Sequence, residues 1–240
     1  SGLPTGVIQF DTAAEPDAVD PFRIGIQLVI QAALQSPAFL YRVEMGQAPE
    51  GDATYVQLSH FEMASRLSYF LWGTMPDPEL FAAAEAGQLG SKEEVEKQAR
   101  RMLDDPRAHE AIAEFHMQWL DYDRIGNITK DAALFPDYSP AIGTMMREEM
   151  RSFVDHTVFD AGGDLATLLT APYSYMPPEL ATFYGLTPPA DAQPGQVVKV
   201  DFDPTQRGGL LTLGALLAIN AHTNQTSPVH RGKLVREQLL

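Results

Sequence analysis

Apolar residues recur every three or four positions along most of this sequence, and a polar start signal precedes many of these runs. The signal is an N-cap residue followed by proline at the first helical position, and it occurs at Asp20-Pro21, Ser36-Pro37, Asp77-Pro78, Asp105-Pro106 and Ser139-Pro140. Alternation of period two, which is typical of strands, is nearly confined to Val197, Val198 and Val200. The pattern therefore predicts an all-α fold, a multi-helix globular bundle with a short extended segment near residues 196–202.

Two of the predicted helices are apolar enough to lie inside the bundle. The first carries Ile24, Leu28 and further apolar residues on nearly all sides, which is typical of a central helix. The run over residues 208–221 is interrupted by Thr212 and Asn220, and it is shorter than the ~18 apolar residues that a membrane span requires. We therefore expect a buried core helix in this region and no membrane span in the chain.

The composition divides the chain into four parts. Residues 1–20 carry four acidic side chains and no basic one, which indicates an acidic flexible arm. Residues 21–186 form the main helical domain, and residues 187–206 are a Pro-rich linker or extended crossing. Residues 207–240 are expected to form a helical pair that packs on the main domain. Because the last residues show no Gly or Pro stop, we expect this pair to continue in a longer parent chain.

The charge balance and the lack of cysteine exclude several classes of function. The chain has 17 Lys and Arg against 32 Asp and Glu, a net charge of −15, which argues against nucleic acid or an anionic membrane surface as partner. The absence of cysteine excludes disulfides, thiolate metal sites, a cysteine nucleophile and covalent c-type haem attachment within this chain. The common hydrolase, P-loop and dinucleotide-binding motifs are also absent.

A metal site in this chain requires His, Asp and Glu, and the candidate ligands are His109, His116, His156 and Glu149. His109 and His116 are seven positions apart, which places them on one helix face but roughly 10 Å apart, too far to share one ion. Glu149 and His156 have the same spacing, and a carboxylate from another helix would have to complete a site there. The structural alternatives are a core histidine beside Trp119 for His116, and a solvated face or a buried Glu–Arg pair for Glu149.

The C-terminal fifth carries the candidate binding residues, which are Arg207, Thr226, Ser227, His230 and Arg231. The free amides of a helix that starts after Ser227, together with nearby basic side chains, could hold a carboxylate or a phosphate. The alternative, which this acidic chain favours, is that Ser227 caps the helix and Arg231 pairs with a carboxylate of a neighbouring helix. The residues identify no catalytic group.

A set of short motifs occurs in order along the chain: residues 36–42 (SPAFLYR), 67–77 (LSYFLWGTMPD), 101–107 (RMLDDPR), 118–120 (QWL), 207–211 (RGGLL) and 226–232 (TSPVHRG). With this set the chain resembles a planctomycete- and myxobacterial-type family of domains of unknown function that accompany cytochrome c modules. The resemblance covers about residues 20–240. Pro177 stands where the family usually has Asn, and Gln225 where many members have Arg, which weakens the idea of a fixed polar site at these positions.

The resemblance implies a periplasmic, secreted or cell-surface protein in which helical domains accompany a c-type cytochrome. A haem would then belong to an upstream or partner domain, and the expected partners are that cytochrome c-like domain or other domains of the parent protein. The first functional hypothesis is therefore a helical interaction or substrate-docking module of a redox system. The alternatives are the catalytic domain of an extracytoplasmic oxidoreductase or, less favoured, a hydrolase, and a structural component of an envelope or surface assembly. Whether the chain is an enzyme is left open.

Overall fold

The computed structural model of the chain describes residues 20–46 and 56–240. Its α-helices, in chain order, are α1 (Pro21–Gln35), α2 (Pro37–Leu40), α3 (His60–Leu71), α4 (Pro78–Glu85), α5 (Lys92–Leu103), α6 (Pro106–Leu120), α7 (Pro140–Asp155), α8 (Leu165–Thr170), α9 (Pro178–Phe183), α10 (Gly214–Ile219) and α11 (Pro228–Leu234). The helical prediction is confirmed. The predicted acidic arm, apart from Asp20, lies outside the described residues.

Shorter elements complete the described chain. There are 3-10 turns at Tyr122–Asn127 and Leu210–Thr212, and π-helical turns at His156–Asp160 and Val235–Leu239. β1 (Tyr173–Met176) and β2 (Val198–Asp201) pair antiparallel, with Tyr173 opposite Asp201. β2 confirms the extended segment predicted near residues 196–202.

The helices begin where the sequence places their caps. The Asp20 carboxylate accepts a hydrogen bond from the Phe22 amide at 3.0 Å, and Ser139 accepts one from the Ile142 amide at 3.4 Å. Each cap satisfies one of the amides that the first helical turn leaves without a partner. The proline that follows the cap has no amide hydrogen to lose and a preset φ, so it favours the same start.

The buried side chains form two clusters. The N-terminal core consists of residues from α3 to α6 and the connections between them: Ala64, Trp72, Leu80, Ala83, Ala84, Leu89, Met102 and Ala108. The C-terminal core surrounds α7, where Met150 and Phe153 are fully buried, and it includes Leu210, Leu213 and Leu216 of the C-terminal segment. The segment after residue 207 therefore packs on the preceding helices through shared apolar side chains.

Two helical predictions need correction. α1 was expected to be a buried central helix, but it has no buried residue and contacts α2. The run over residues 208–221 is buried as expected, but it is not one helix. Gly209 adopts a φ of +65° and Leu213 an extended conformation, so the segment divides into a 3-10 turn and the short helix α10. Among the described residues, no helix is long and apolar enough to cross a membrane.

Candidate functional site

α1 is an apolar helix that the rest of the described chain leaves uncovered. None of its residues is buried, and Phe22 and Val29 are 72% and 66% exposed. Its polar side chains recur every fourth position and so share one stripe: Arg23, Gln27, Gln31 and Gln35. The other sides are apolar, and a helix of this composition is stabilised when those sides are removed from water.

A groove of about 780 Å³, lined by both aromatic and charged side chains, lies next to α2. It is lined by residues 38–44, by α3 and by residues 75–81. Its exposed side chains include large aromatic and thioether groups: Phe39, Tyr41, Phe61, Phe70 and Met75. We refer to α1, α2 and this groove together as the docking surface, because neighbouring large apolar side chains that are exposed are typical of interaction sites.

The segment that forms one part of the groove is fastened to α3 by polar contacts. The Glu62 carboxylate accepts hydrogen bonds from the amides of Met45, Gly46 and Ser59 at 2.7–3.0 Å. These bonds lower the pKa of Glu62 to about 2. Arg66 forms an ion pair with Glu44. Residues 44–46 are therefore fixed to α3 by contacts within the chain.

A second feature, which we call the buried polar cluster, surrounds Glu149 of α7. This carboxyl is fully buried, and the Tyr184 hydroxyl donates a hydrogen bond to its Oε2 at 2.7 Å. The Arg207 guanidinium lies over the Tyr184 ring, 4.5 Å from its centroid. Ser174 lies beside the carboxyl, but its hydroxyl, Glu149 Oε1 and Arg207 Nη1 are all enclosed without a hydrogen-bond partner.

The electrostatics of the cluster follow from its burial. Loss of water raises the pKa of Glu149 to about 7, although Tyr184, Ser174 and Arg207 act in the opposite direction. Burial and the neighbouring carboxyl also raise the pKa of the Tyr184 hydroxyl. A carboxyl in such a position is protonated over a wider pH range than one in water.

Two glycines allow the C-terminal segment to approach this cluster. A Cβ on Gly214 would lie 1.9 Å from the Tyr184 hydroxyl, and a Cβ on Gly209 would lie 2.1 Å from the Leu169 carbonyl carbon. Gly209 also has a φ of +65°, which side-chain-bearing residues rarely adopt. The Gly209 amide donates to the Ala171 carbonyl at 2.9 Å.

The predicted metal ligands His109 and His156 have different partners in the structure. His109 contacts Asp155 through Nδ1 at 2.6 Å and stacks on Phe159, whereas His156 contacts Asp160 at 3.1 Å. No group of three or more His, Asp or Glu side chains that could hold a metal ion occurs in residues 20–46 and 56–240.

The two remaining predicted ligands, His116 and Glu149, are buried. His116 Nδ1 lies 2.8 Å from the Ile112 carbonyl oxygen, and burial lowers the pKa of its imidazole. His116 therefore has the environment of a core histidine, as the alternative to metal binding predicted. Glu149 lies in the buried polar cluster near Arg207, which is close to the predicted alternative of a buried Glu–Arg pair. The hydrogen bond to this carboxyl, however, comes from Tyr184.

The predicted anion-binding residues are distributed over different environments. Ser227 caps α11 by accepting from the His230 amide at 3.3 Å, and Thr226 is exposed. His230 lines a cleft of about 410 Å³ together with Lys233. Arg231 is half-buried on α11.

Arg207, the fifth residue of that prediction, lies instead against Tyr184 in the buried polar cluster. Sequence reasoning missed Tyr184, Ser174 and Gly214, since their partners are distant along the chain. The signal that could have identified the segment is the pair of glycines after Arg207, followed by a third at position 214.

Family comparison agrees with the motif set. Residues 58–186 match the family described as PSD4, protein of unknown function (DUF1592), over more than half of the chain. The chain belongs to the PSD4 family. Residues 207–240 match a second family, PSCyt3, protein of unknown function (DUF1588). Both are cytochrome c-associated families of planctomycete type, which confirms the resemblance. No curated protein and no solved structure matches the chain.

The docking surface and the buried polar cluster are distributed differently over the two segments that match families. The α3 part of the groove lies in the PSD4 segment, and α1 and α2 precede it. The buried polar cluster combines Glu149, Ser174 and Tyr184 of the PSD4 segment with Arg207 and Gly214 of the PSCyt3 segment. The cluster therefore joins the two segments.

Proposed function

We propose that this PSD4-family chain is an interaction module that docks against a domain carrying a c-type haem, in a redox protein that works outside the cytoplasm. The observation that carries the proposal is the exposure of α1, an apolar helix with no buried residue. The cytochrome c-related family names support the choice of partner. The family resemblance supports the location. Because the chain has no cysteine, a haem attached through a CxxCH motif belongs to the partner.

The energetics favour docking through α1. Its large apolar side chains are all partly or mostly exposed: Phe22, Ile24, Ile26, Leu28, Val29, Ile30 and Leu34. Burying one such side chain contributes about 1.5–3 kcal/mol, and association opposes this with about 4–15 kcal/mol of lost freedom. A partner that covers several of them can therefore form a stable complex.

The charge of α1 and α2 also favours their role in docking. Residues 21–43 contain Arg23 and Arg42 but no Asp or Glu, although the whole chain has a net charge of −15. A partner thus meets two apolar and weakly cationic helices on a protein of net negative charge. An acidic partner is repelled less there than at the segments of the chain that are rich in Asp and Glu.

Site-specific photo-crosslinking in the native cell tests this proposal. A benzophenone amino acid replaces Phe39, which is 64% exposed and lines the groove. After proteolysis, we expect position 39 to be joined to a peptide from a domain with covalently bound haem, on the same polypeptide or on another one, because the groove is covered by the haem-carrying domain.

The matched control places the same amino acid at Leu165, which is 65% exposed at the start of α8. We expect no link to a haem-carrying domain from this position. The proposal is wrong if position 39 gives no such link in cells where the folded variant accumulates, or if both positions give it equally.

A further inference from the structure

Two histidine rings meet on the surface of the C-terminal segment. His222 follows α10, and His230 lies in the first turn of α11. Their ring centroids are 5.1 Å apart, with an angle of 52° between the ring planes, and both residues are exposed. The pair belongs to the segment that matches the second family and lies outside the docking surface.

The ring nitrogens of this pair have different surroundings from those of three other histidines. His109, His116 and His156 each have Nδ1 close to an oxygen atom of the chain. In residues 20–46 and 56–240, no such hydrogen bond or ion pair occupies a ring nitrogen of His222 or His230. A neutral imidazole has one nitrogen lone pair, which in this pair is available to a ligand from solvent.

The separation of the two rings fits a shared zinc ion. With a zinc–nitrogen distance of about 2.1 Å and a tetrahedral angle at the metal, the centroids of two imidazole ligands lie about 5 Å apart. A right angle between the ligands, as in the square-planar sites of Cu²⁺ and Ni²⁺, brings the centroids to about 4.5 Å. The observed 5.1 Å therefore matches the tetrahedral geometry of zinc.

The backbone at both histidines is held by hydrogen bonds within the chain. The His222 amide donates to the Gln225 carbonyl at 2.9 Å, and the His222 carbonyl accepts from Lys130 Nζ at 3.0 Å. The His230 amide donates to the Ser227 hydroxyl at 3.3 Å, at the cap of α11. Binding of an ion therefore orders little more than two side chains, which keeps its entropic cost low.

The charges in the cleft beside the pair balance one another. His230 lines this cleft together with two cationic and two anionic side chains: Arg124, Lys233, Asp121 and Glu237. Arg124 pairs with Asp121 at 2.6 Å, and Lys233 with Glu237 at 3.7 Å. The whole chain carries a net charge of −15, which favours the approach of a cation.

We propose that His222 and His230 form a site for a zinc ion, with water in the remaining coordination positions. The ion links the connection between α10 and α11 to the first turn of α11. Catalytic and structural zinc sites have three or four protein ligands. With two, the ion exchanges with solvent, and its other positions can accept a donor atom from another molecule. The site does not depend on the proposed docking to a haem-carrying domain.

Equilibrium dialysis of the intact chain, without a histidine tag, against Zn²⁺ at pH 7.5 tests the site, because imidazole binds a metal in its neutral form. Loss of a residue that only orients a metal ligand weakens binding roughly 10–100-fold. We therefore expect His222→Ala and His230→Ala each to weaken zinc binding at least about tenfold. His109→Ala, which removes a half-exposed histidine that contacts Asp155, should keep the wild-type affinity.

Unfolding measurements separate loss of the ligand from loss of the fold. Without zinc, both variants of the pair should have the wild-type unfolding midpoint, since both side chains are exposed. Zinc at about a hundred times its dissociation constant should lower the unfolding constant of the wild type by up to about a hundredfold, and it should have no such effect on either variant.

The proposal is overturned if the untagged chain binds no zinc, or if His109→Ala loses as much affinity as the variants of the pair. It is also overturned if His222→Ala or His230→Ala binds zinc as the wild type does, because the zinc is then bound adventitiously by other surface groups.

Discussion

At the scale of single residues, Gly214 determines how closely the C-terminal segment packs on the helices before it. A Cβ at this position would lie 1.9 Å from the Tyr184 hydroxyl, so Gly214→Ala has to displace Tyr184 or α10. We expect a loss of about 1–3 kcal/mol in the free energy of unfolding, as for other overpacked cores. Urea denaturation with a tryptophan fluorescence readout measures it.

The control for this prediction is Gly126→Ala. Gly126 lies in the Tyr122–Asn127 turn, and a Cβ there meets nothing within 4 Å. The unfolding free energy of this variant should remain within about 0.5 kcal/mol of the wild type. Equal stability of the Gly214 and Gly126 variants would contradict the close contact with Tyr184.

The residues that the sequence predicts well are those whose partners are local. The caps at Asp20 and Ser139 bond to amides two or three residues ahead, so their spacing alone identifies them. Glu149 illustrates the opposite case. Its neighbours Tyr184 and Arg207 lie 35 and 58 positions away along the chain, and no periodicity of α7 indicates them.

At the scale of elements, the apolar pattern predicted that α1 is helical but gave a wrong account of its burial. Periodicity reports which sides of a helix favour burial; it does not report what covers them. β1 was missed for a different reason. Its four residues have too few alternations to stand out, and they form a strand because β2, more than 20 residues later, pairs with them.

Replacing an α1 residue tests whether the helix supports the fold or only the interface. Leu28 is 57% exposed, and Leu28→Glu places a good helix former there. We expect the unfolding free energy to change by no more than about 0.5 kcal/mol, while binding of an apolar dye to the chain decreases.

The comparison variant for α1 is Met102→Ala in the N-terminal core. Met102 is fully buried, so we expect this variant to lose about 2–5 kcal/mol. Thermal or urea unfolding of both variants makes the comparison. A loss at Leu28 as large as that at Met102 would show that α1 is part of the core.

At the scale of the whole molecule, two cores coexist with an apolar surface that residues 20–46 and 56–240 leave uncovered. Residues of the PSD4 segment form the N-terminal core and most of the C-terminal core. Residues of the segment that matches the second family contribute further side chains of the C-terminal core. α1 and α2 add to neither core among the described residues. This arrangement is expected of a module whose first helices are completed by another domain.

The most direct test of this account is amide hydrogen exchange of the chain alone and of the chain purified with its native partners. We predict that residues 21–45 exchange at least tenfold more slowly in the native assembly, because the partner covers α1 and the groove. Residues 165–170 of α8 should exchange at the same rate in both samples. Equal exchange of residues 21–45 in the two samples would contradict the account.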